Sequence, residues 1–87
     1  MPRDIIAILR GVHPDEVVAI GDVLIRCGIT TIEVPLNSPE PFESIGRLIN
    51  HFGLDAQIGA GPVLSVKVVH RVLELGGQLM FSLNTRQ

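Results

Sequence analysis

The 87-residue sequence has no tryptophan, no tyrosine and only one cysteine, Cys27. A lone cysteine cannot form an internal disulfide, which is typical of proteins in the reducing cytoplasm. The formal net charge is −2 and there is no basic cluster, so we expect no binding to nucleic acid. Every apolar run is far shorter than the roughly 20 residues that span a bilayer, and no signal peptide precedes them. The sequence therefore predicts a cytoplasmic protein without a membrane segment.

Aliphatic side chains are what the sequence has in excess. Hydrophobic residues make up 46% of the chain, although aromatic residues make up only 3%. Such a composition is typical of parallel strands that are covered on both faces. Residues 1–87 form one domain at most, and a domain of this size buries only about 60% of its unfolded surface. We therefore expect a partner or a second half to cover part of the apolar surface.

Short apolar runs alternate with helical patterns along the chain. Strands are predicted over four segments, 5–9, 30–34, 56–60 and 79–82, and the first is expected to be buried. Helices are predicted to begin at His13-Pro14, Ser38-Pro39 and Ser65, where caps, first-turn prolines or acids occur. The apolar face of the first helix is predicted to consist of Val17, Ile20, Val23, Leu24 and Cys27.

This alternation repeats at a nearly constant interval, which indicates right-handed βα units and a parallel sheet. The fold class is therefore α/β with about four βα units. They could form half of an eight-stranded barrel or a small open doubly wound sheet. In both architectures ligands bind beyond the carboxyl ends of the strands, so candidate site residues are sought there.

Glu33 is the sharpest candidate because it is an acid inside the apolar second strand. Its neighbours Ile32 and Val34 point to the opposite face, so Glu33 faces a barrel interior if they face the helices. A carboxyl group in that position is desolvated, its pKa rises, and it becomes suited to proton transfer near neutral pH. The structural alternative is an ion pair with a nearby arginine.

Arg10 and Gly61 end the first and third strands. The Arg10 guanidinium could bind a carboxylate or phosphate bidentately, or it could simply pair with Glu33. The Gly59-Ala60-Gly61 turn lets backbone N–H groups approach an anion, although such glycines also serve only to turn the chain. The single lysine, Lys67, is expected to be solvated. The histidines lack metal-ligand spacing, so we expect no metal site.

Three segments, taken together, carry a family resemblance. Ile8-Leu9-Arg10-Gly11, the segment 32–39 and Ile58-Gly59-Ala60-Gly61 resemble the 2-keto-3-deoxy-6-phosphogluconate/galactonate aldolase family, and more closely its galactonate branch. The similarity runs through the whole chain but covers only about the first half of a family member. It implies the N-terminal half of a TIM (β/α)8 barrel in a class I aldolase, usually a homotrimer, that needs no metal or other cofactor.

The resemblance also implies a reaction and roles for four residues. Family members cleave 2-dehydro-3-deoxy-6-phosphogalactonate to pyruvate and glyceraldehyde 3-phosphate, through a Schiff base between a sixth-strand lysine and the keto carbon. Glu33 matches the glutamate that shuttles protons, and Arg10 matches an arginine that contacts the substrate. Gly61 belongs to the matched turn near the pyruvate carboxylate. Phe81 falls on a fourth-strand position that influences which sugar stereochemistry the enzyme accepts.

Differences from the family pattern lead to two hypotheses for the chain itself. It contains no sixth-strand lysine and none of the last barrel loops that hold phosphate, and Pro62 replaces a family threonine. We therefore expect a family member that retains the acid, lacks the nucleophile and is inactive in isolation. The alternative is a non-catalytic half-barrel that pairs with itself or with a second polypeptide, because its fourth-strand edge and aliphatic faces are otherwise exposed. A free-standing phosphate-binding domain is a third possibility, supported only by the Gly-Ala-Gly turn.

Overall fold

The computed structural model describes residues 5–61 and 66–79, which alternate between strands and helices. The elements are β1 (Ile6–Ile8), α1 (Pro14–Arg26), β2 (Thr31–Pro35), α2 (Pro41–Phe52), a 3₁₀ turn (Gly53–Asp55), β3 (Gln57–Gly61), α3 (Val66–Glu74) and β4 (Gln78–Leu79). The strands form one parallel sheet in the order β1-β2-β3-β4. The prediction of an α/β fold with parallel strands is confirmed. The sequence predictions for Pro62, Ser65 and Phe81 lie outside the described residues.

Helix α1 begins where the sequence predicts. Pro14 occupies its first turn, and the backbone N–H of His13 donates to the Glu16 carboxylate at 3.0 Å, so an otherwise unpaired backbone donor is satisfied. The helix ends at Arg26, and Gly28 adopts the left-handed conformation with φ of +89°, as expected of a glycine that stops a helix.

The hydrophobic core lies between the sheet and the helices. Alternate residues of β2 and β3 share a face, so Ile32 and Val34 lie beside Ile58 and Ala60. These four side chains cluster with Ile45, Leu48 and Phe52 of α2, with Val17 of α1 and with Val72 of α3. The opposite face of the sheet therefore carries the odd-numbered residues of β2 and β3, which include Glu33.

The predicted start of α2 at Ser38-Pro39 is wrong by two residues. The helix begins at Pro41, and the residue before it, Glu40, is left-handed with φ of +42°. Ser38 is not a helix cap; it is buried, and its hydroxyl lies 3.4 Å from the backbone carbonyl of Leu9. A hydroxyl that can reach a carbonyl on the neighbouring strand segment is not available to cap a helix.

The prediction that the first strand is buried is also wrong. Ile6 is 44% exposed and Ile8 is 37% exposed. The strand is the outermost of the described sheet and pairs only with β2 among the described strands. A continuous apolar run indicates a strand, but it does not say whether both faces of that strand are covered.

The apolar face of α1 is rotated relative to the sequence prediction. Val17 and Gly21 are the buried positions of the helix, whereas Val23 is 59% exposed and Cys27 is exposed at the helix end. Sequence spacing favours large apolar side chains as the inner face, but here a glycine takes a central inner position.

Among residues 5–61 and 66–79, no helix is long and apolar enough to cross a membrane.

Candidate active site

The candidate site lies at the carboxyl ends of the three adjoining strands β1, β2 and β3. Backbone hydrogen bonds join these ends: the N–H of Leu9 donates to the carbonyl of Glu33, and the N–H of Leu36 donates to the carbonyl of Gly61, both at 3.0 Å. The Ser38 hydroxyl adds a longer contact to Leu9. The strand ends therefore hold fixed positions, as residues of a ligand site must.

Glu33 is the central residue of β2, lies beside the last residue of β1 and is 4% exposed. It pairs in register with Ile8 of β1 and Gly59 of β3. The Glu33 side chain therefore lies beside an aliphatic side chain on β1 and beside a glycine, which has no side chain, on β3. Burial raises the pKa of the Glu33 carboxyl above its usual 4.5, and the positive charge of Arg10 partly opposes that rise. A raised pKa brings the proton affinity of a carboxyl group closer to what proton transfer near neutral pH requires.

Arg10 lies in the turn that follows β1, where its side chain is exposed. The described part of the chain has three ion pairs, and none of them includes Arg10 or Glu33. The two groups therefore interact through the electrostatic field rather than through a closed salt bridge. The guanidinium keeps its donors available for an anion while it still favours the ionised carboxylate.

Gly61 is the last residue of β3 and is buried beside Pro35, its register partner. Of the predicted site residues, Arg10 and Gly61 thus lie at neighbouring strand ends, and Glu33 lies between them in the middle of β2. Phe81 lies outside the described residues. Their roles stay predictions, since proximity alone does not assign chemistry.

Sequence reasoning did not find Ser38 as a residue of this edge. Its hydroxyl contacts Leu9, the residue immediately before Arg10. The sequence offers no signal for this contact, because Ser-Pro-Glu is also a common beginning of a helix. Within the described ranges, no group of three or more His, Cys, Asp or Glu side chains is arranged to hold a metal ion.

The raised pKa of Glu33 predicts how its replacement changes stability. Between pH 4.5 and the higher pKa of the folded state, the folded chain binds more protons than the unfolded chain, so stability falls as pH rises. Glu33→Gln removes this penalty and should make the chain more stable than wild type at neutral pH, but not below pH 4.5. Urea midpoints across this range measure the difference. Glu74→Gln, which removes an exposed acid from α3, is the control; parallel profiles for wild type and Glu33→Gln would contradict the prediction.

Comparison with known proteins identifies relatives but no matching family model. A probable 2-dehydro-3-deoxy-6-phosphogalactonate aldolase from Rhizobium meliloti (strain 1021) is 46% identical over 84 residues, which are 97% of this chain and 40% of the relative. The 2-dehydro-3-deoxy-6-phosphogalactonate aldolase of Escherichia coli (strain K12) is 41% identical over 80 residues, with 92% and 39% covered. The chain thus spans about 40% of the length of these curated relatives.

Two solved structures share the fold. A structure described as native KDPGal superposes with a TM-score of 0.81 at 39% identity, covering 90% of this chain and 40% of that one. A cube-shaped protein cage designed by fusing symmetric oligomeric domains also gives 0.81, at 42% identity, covering 84% of this chain and 27% of that one. Sequence and structure therefore agree, and the chain belongs to the 2-dehydro-3-deoxy-6-phosphogalactonate aldolase family.

Proposed function

We propose that this chain forms the proton-transferring part of a class I aldolase site that cleaves 2-dehydro-3-deoxy-6-phosphogalactonate to pyruvate and glyceraldehyde 3-phosphate. The observation that carries the proposal is the acid Glu33, which is 4% exposed and lies within a parallel sheet beside the last residue of β1. Relatives named for this substrate, at 46% and 41% identity, support it. In this proposal the strands are the first half of a TIM barrel, a fold whose active sites lie at that edge.

Each candidate residue has a defined chemical task in the proposed reaction. A lysine amine forms a Schiff base with the keto carbon, so that the iminium accepts the electron pair of the breaking carbon–carbon bond. Glu33 takes the proton from the hydroxyl group of the carbon that becomes the aldehyde, and returns a proton to the enamine carbon, directly or through water. Arg10 binds an anionic group of the substrate. Gly61 offers close backbone approach, and Phe81 influences the sugar stereochemistry that is accepted.

The lysine nucleophile is the component that this chain does not supply. Its only lysine, Lys67, is exposed on α3, whereas an amine nucleophile is activated by desolvation in a buried site. The isolated chain is therefore expected to show no turnover and no mass increase after incubation with pyruvate and borohydride. Turnover together with labelling of Lys67 would overturn this assignment.

A chimera tests the proposed function directly. This chain would replace the matched segment of the Escherichia coli relative, which then contributes the remainder of the protein. The expected result is a folded chimera that cleaves 2-dehydro-3-deoxy-6-phosphogalactonate. A second chimera with the Rhizobium meliloti relative, which is 46% identical, guards against a misfit at one junction. Folded chimeras of both kinds without cleavage would contradict the proposal.

Self-association is a second candidate, favoured by the exposed edge of the sheet. Ile5 and Ile6 are each 44% exposed and Ile8 is 37% exposed, and among the described strands β1 pairs only with β2, so β1 offers an apolar edge to another strand. The similar cage is built from symmetric oligomeric domains, which supports a homo-oligomer, and the family resemblance specifies a trimer. Light scattering during size-exclusion chromatography should reveal a single defined oligomer that Ile6→Lys dissociates. A monomer, or heterogeneous aggregates, would exclude this candidate.

A further inference from the structure

A cleft of about 210 Å³ lies between α2 and α3. None of its lining residues belongs to the strand ends that carry Arg10, Glu33 and Gly61, so it is separate from the candidate active site. Its lining combines an apolar part, which we call the floor, with a larger share of charged and polar side chains.

The floor of the cleft is formed by Phe42, Gly46 and Leu75. Phe42 and Leu75 are half-buried and pack against the core, so they hold fixed positions. Gly46 leaves the floor open, since a methyl group there would lie 3.9 Å from the nearest atom, Cδ2 of Leu75. The depth of the cleft therefore depends on the missing side chain at this position.

Arg71 is the positively charged group of the cleft that is held least tightly. Its guanidinium carbon lies 5.8 Å from the centre of the Phe42 ring, an arrangement that holds the planar group over the aromatic floor. Its ion pair with Glu74 is long, at 3.7 Å, and both side chains are more than half exposed. An exposed pair of this kind contributes little stability, so a ligand carboxylate can displace Glu74 from the guanidinium.

Arg47 also lines the cleft and is held in place by two hydrogen bonds. It donates to Glu43 at 2.8 Å and to the backbone carbonyl of Pro14 at 3.2 Å. The side-chain amide of nearby Asn50 makes no hydrogen bond to any residue within 5–61 or 66–79 and is available to a ligand. Arg47 and Arg71 are each paired with a glutamate, so a ligand that displaces Glu74 from Arg71 meets a single uncompensated positive charge, which suits a monoanion better than a dianion.

From these contacts we propose that the cleft between α2 and α3 binds a small organic monocarboxylate with an apolar body. The carboxylate accepts hydrogen bonds from Arg71 and Asn50, and the apolar body lies on Phe42, Gly46 and Leu75. Glu43 disfavours a second negative charge, so inorganic phosphate should bind more weakly. This site does not depend on the proposed aldolase chemistry.

Titration of the ¹⁵N-labelled chain with benzoate at constant ionic strength tests the site. Amide resonances of α2 and α3 should shift in a saturable way, with a dissociation constant on the order of 1–10 mM for a ligand of this size. Arg71→Gln should abolish the saturable shifts. Arg26→Gln is the matched control, because Arg26 is also an exposed arginine in a helical ion pair, but on α1 and outside the cleft; it should leave binding unchanged.

Two further measurements separate the apolar and charged contributions. Gly46→Leu should fill the floor without changing the charge and should prevent binding. Amide resonances of residues distant from the cleft should match those of the wild type, which shows that the variant is folded. Benzyl alcohol, which has the apolar body without the carboxylate, should not cause saturable shifts of the amide resonances. The proposal is wrong if the benzoate shifts are linear in concentration, or if Arg71→Gln binds benzoate as wild type does.

Discussion

Glu33→Gln is expected to lower kcat for cleavage in the chimeric aldolase by about 10²- to 10⁴-fold, the usual contribution of a positioned acid–base group. Glutamine keeps nearly the shape of the buried side chain but cannot take up a proton from the substrate hydroxyl. Loss of proton transfer should appear in kcat far more than in KM, because substrate binding depends on other groups. Steady-state kinetics across neutral pH measure both constants.

Two comparisons make this expectation decisive. Glu74→Gln removes an exposed acid from α3 and should leave kcat within a factor of about two, since surface substitutions have small effects. Glu33→Gln should also be more stable than the parent at neutral pH, so a loss of activity cannot be attributed to unfolding. If Glu33→Gln retains nearly full kcat in a folded chimera, the catalytic assignment of Glu33 is wrong.

A stabilising substitution that removes activity is what a buried acid at a functional site should produce. Burial raises the pKa of the Glu33 carboxyl, which means that the folded chain holds the ionised form less favourably than the unfolded chain does. In the proposed reaction, the same destabilisation would tune the group for proton transfer. The charge of Arg10 reduces the free-energy cost of ionising Glu33 without removing it, because Arg10 and Glu33 form no ion pair within the described residues.

Much of the fold could be predicted because local patterns and tertiary packing agree. The strand containing Glu33 follows directly from its apolar and β-branched residues, and Ile32 and Val34 are buried as in a strand covered by helices. The position of Glu33 could be predicted for the same reason, since its two aliphatic neighbours belong to the core and strand side chains alternate between faces.

The predictions that are wrong concern features that depend on distant contacts. Pro39 and Pro41 are equally compatible with a first helical turn, and only the contact between Ser38 and Leu9 distinguishes them. The exposure of β1 depends on which strands lie beside it. Periodicity in α1 favours Val23 and Cys27 as inner residues, whereas close packing of Gly21 against α2 sets the rotation of the helix. A glycine carries no hydrophobic signal, so this contact could not be read from the sequence.

Gly21→Ala is expected to destabilise the chain by about 1–2 kcal/mol, although alanine is intrinsically the better helix former by about 1 kcal/mol. A methyl group at Gly21 would lie 2.7 Å from Cε2 of Phe52 and 3.1 Å from Cδ2 of Leu48. Both neighbours are buried, so neither can move without disturbing the core. For a domain of this size the loss corresponds to a fall in Tm of roughly 4–15 °C.

Gly46→Ala is the matched control, because it places the same methyl group inside the neighbouring helix. There the nearest atom is 3.9 Å away, so the helix propensity of alanine should dominate and stability should rise by about 0.5–1 kcal/mol. If Gly21→Ala lowers stability and Gly46→Ala raises it, the contact between α1 and α2, rather than backbone entropy, determines the effect at Gly21. The double mutant with Phe52→Leu should reduce the cost of Gly21→Ala, since the ring atoms that clash are gone. A rise in Tm for Gly21→Ala similar to that of Gly46→Ala would mean that the two helices are not packed this closely in solution.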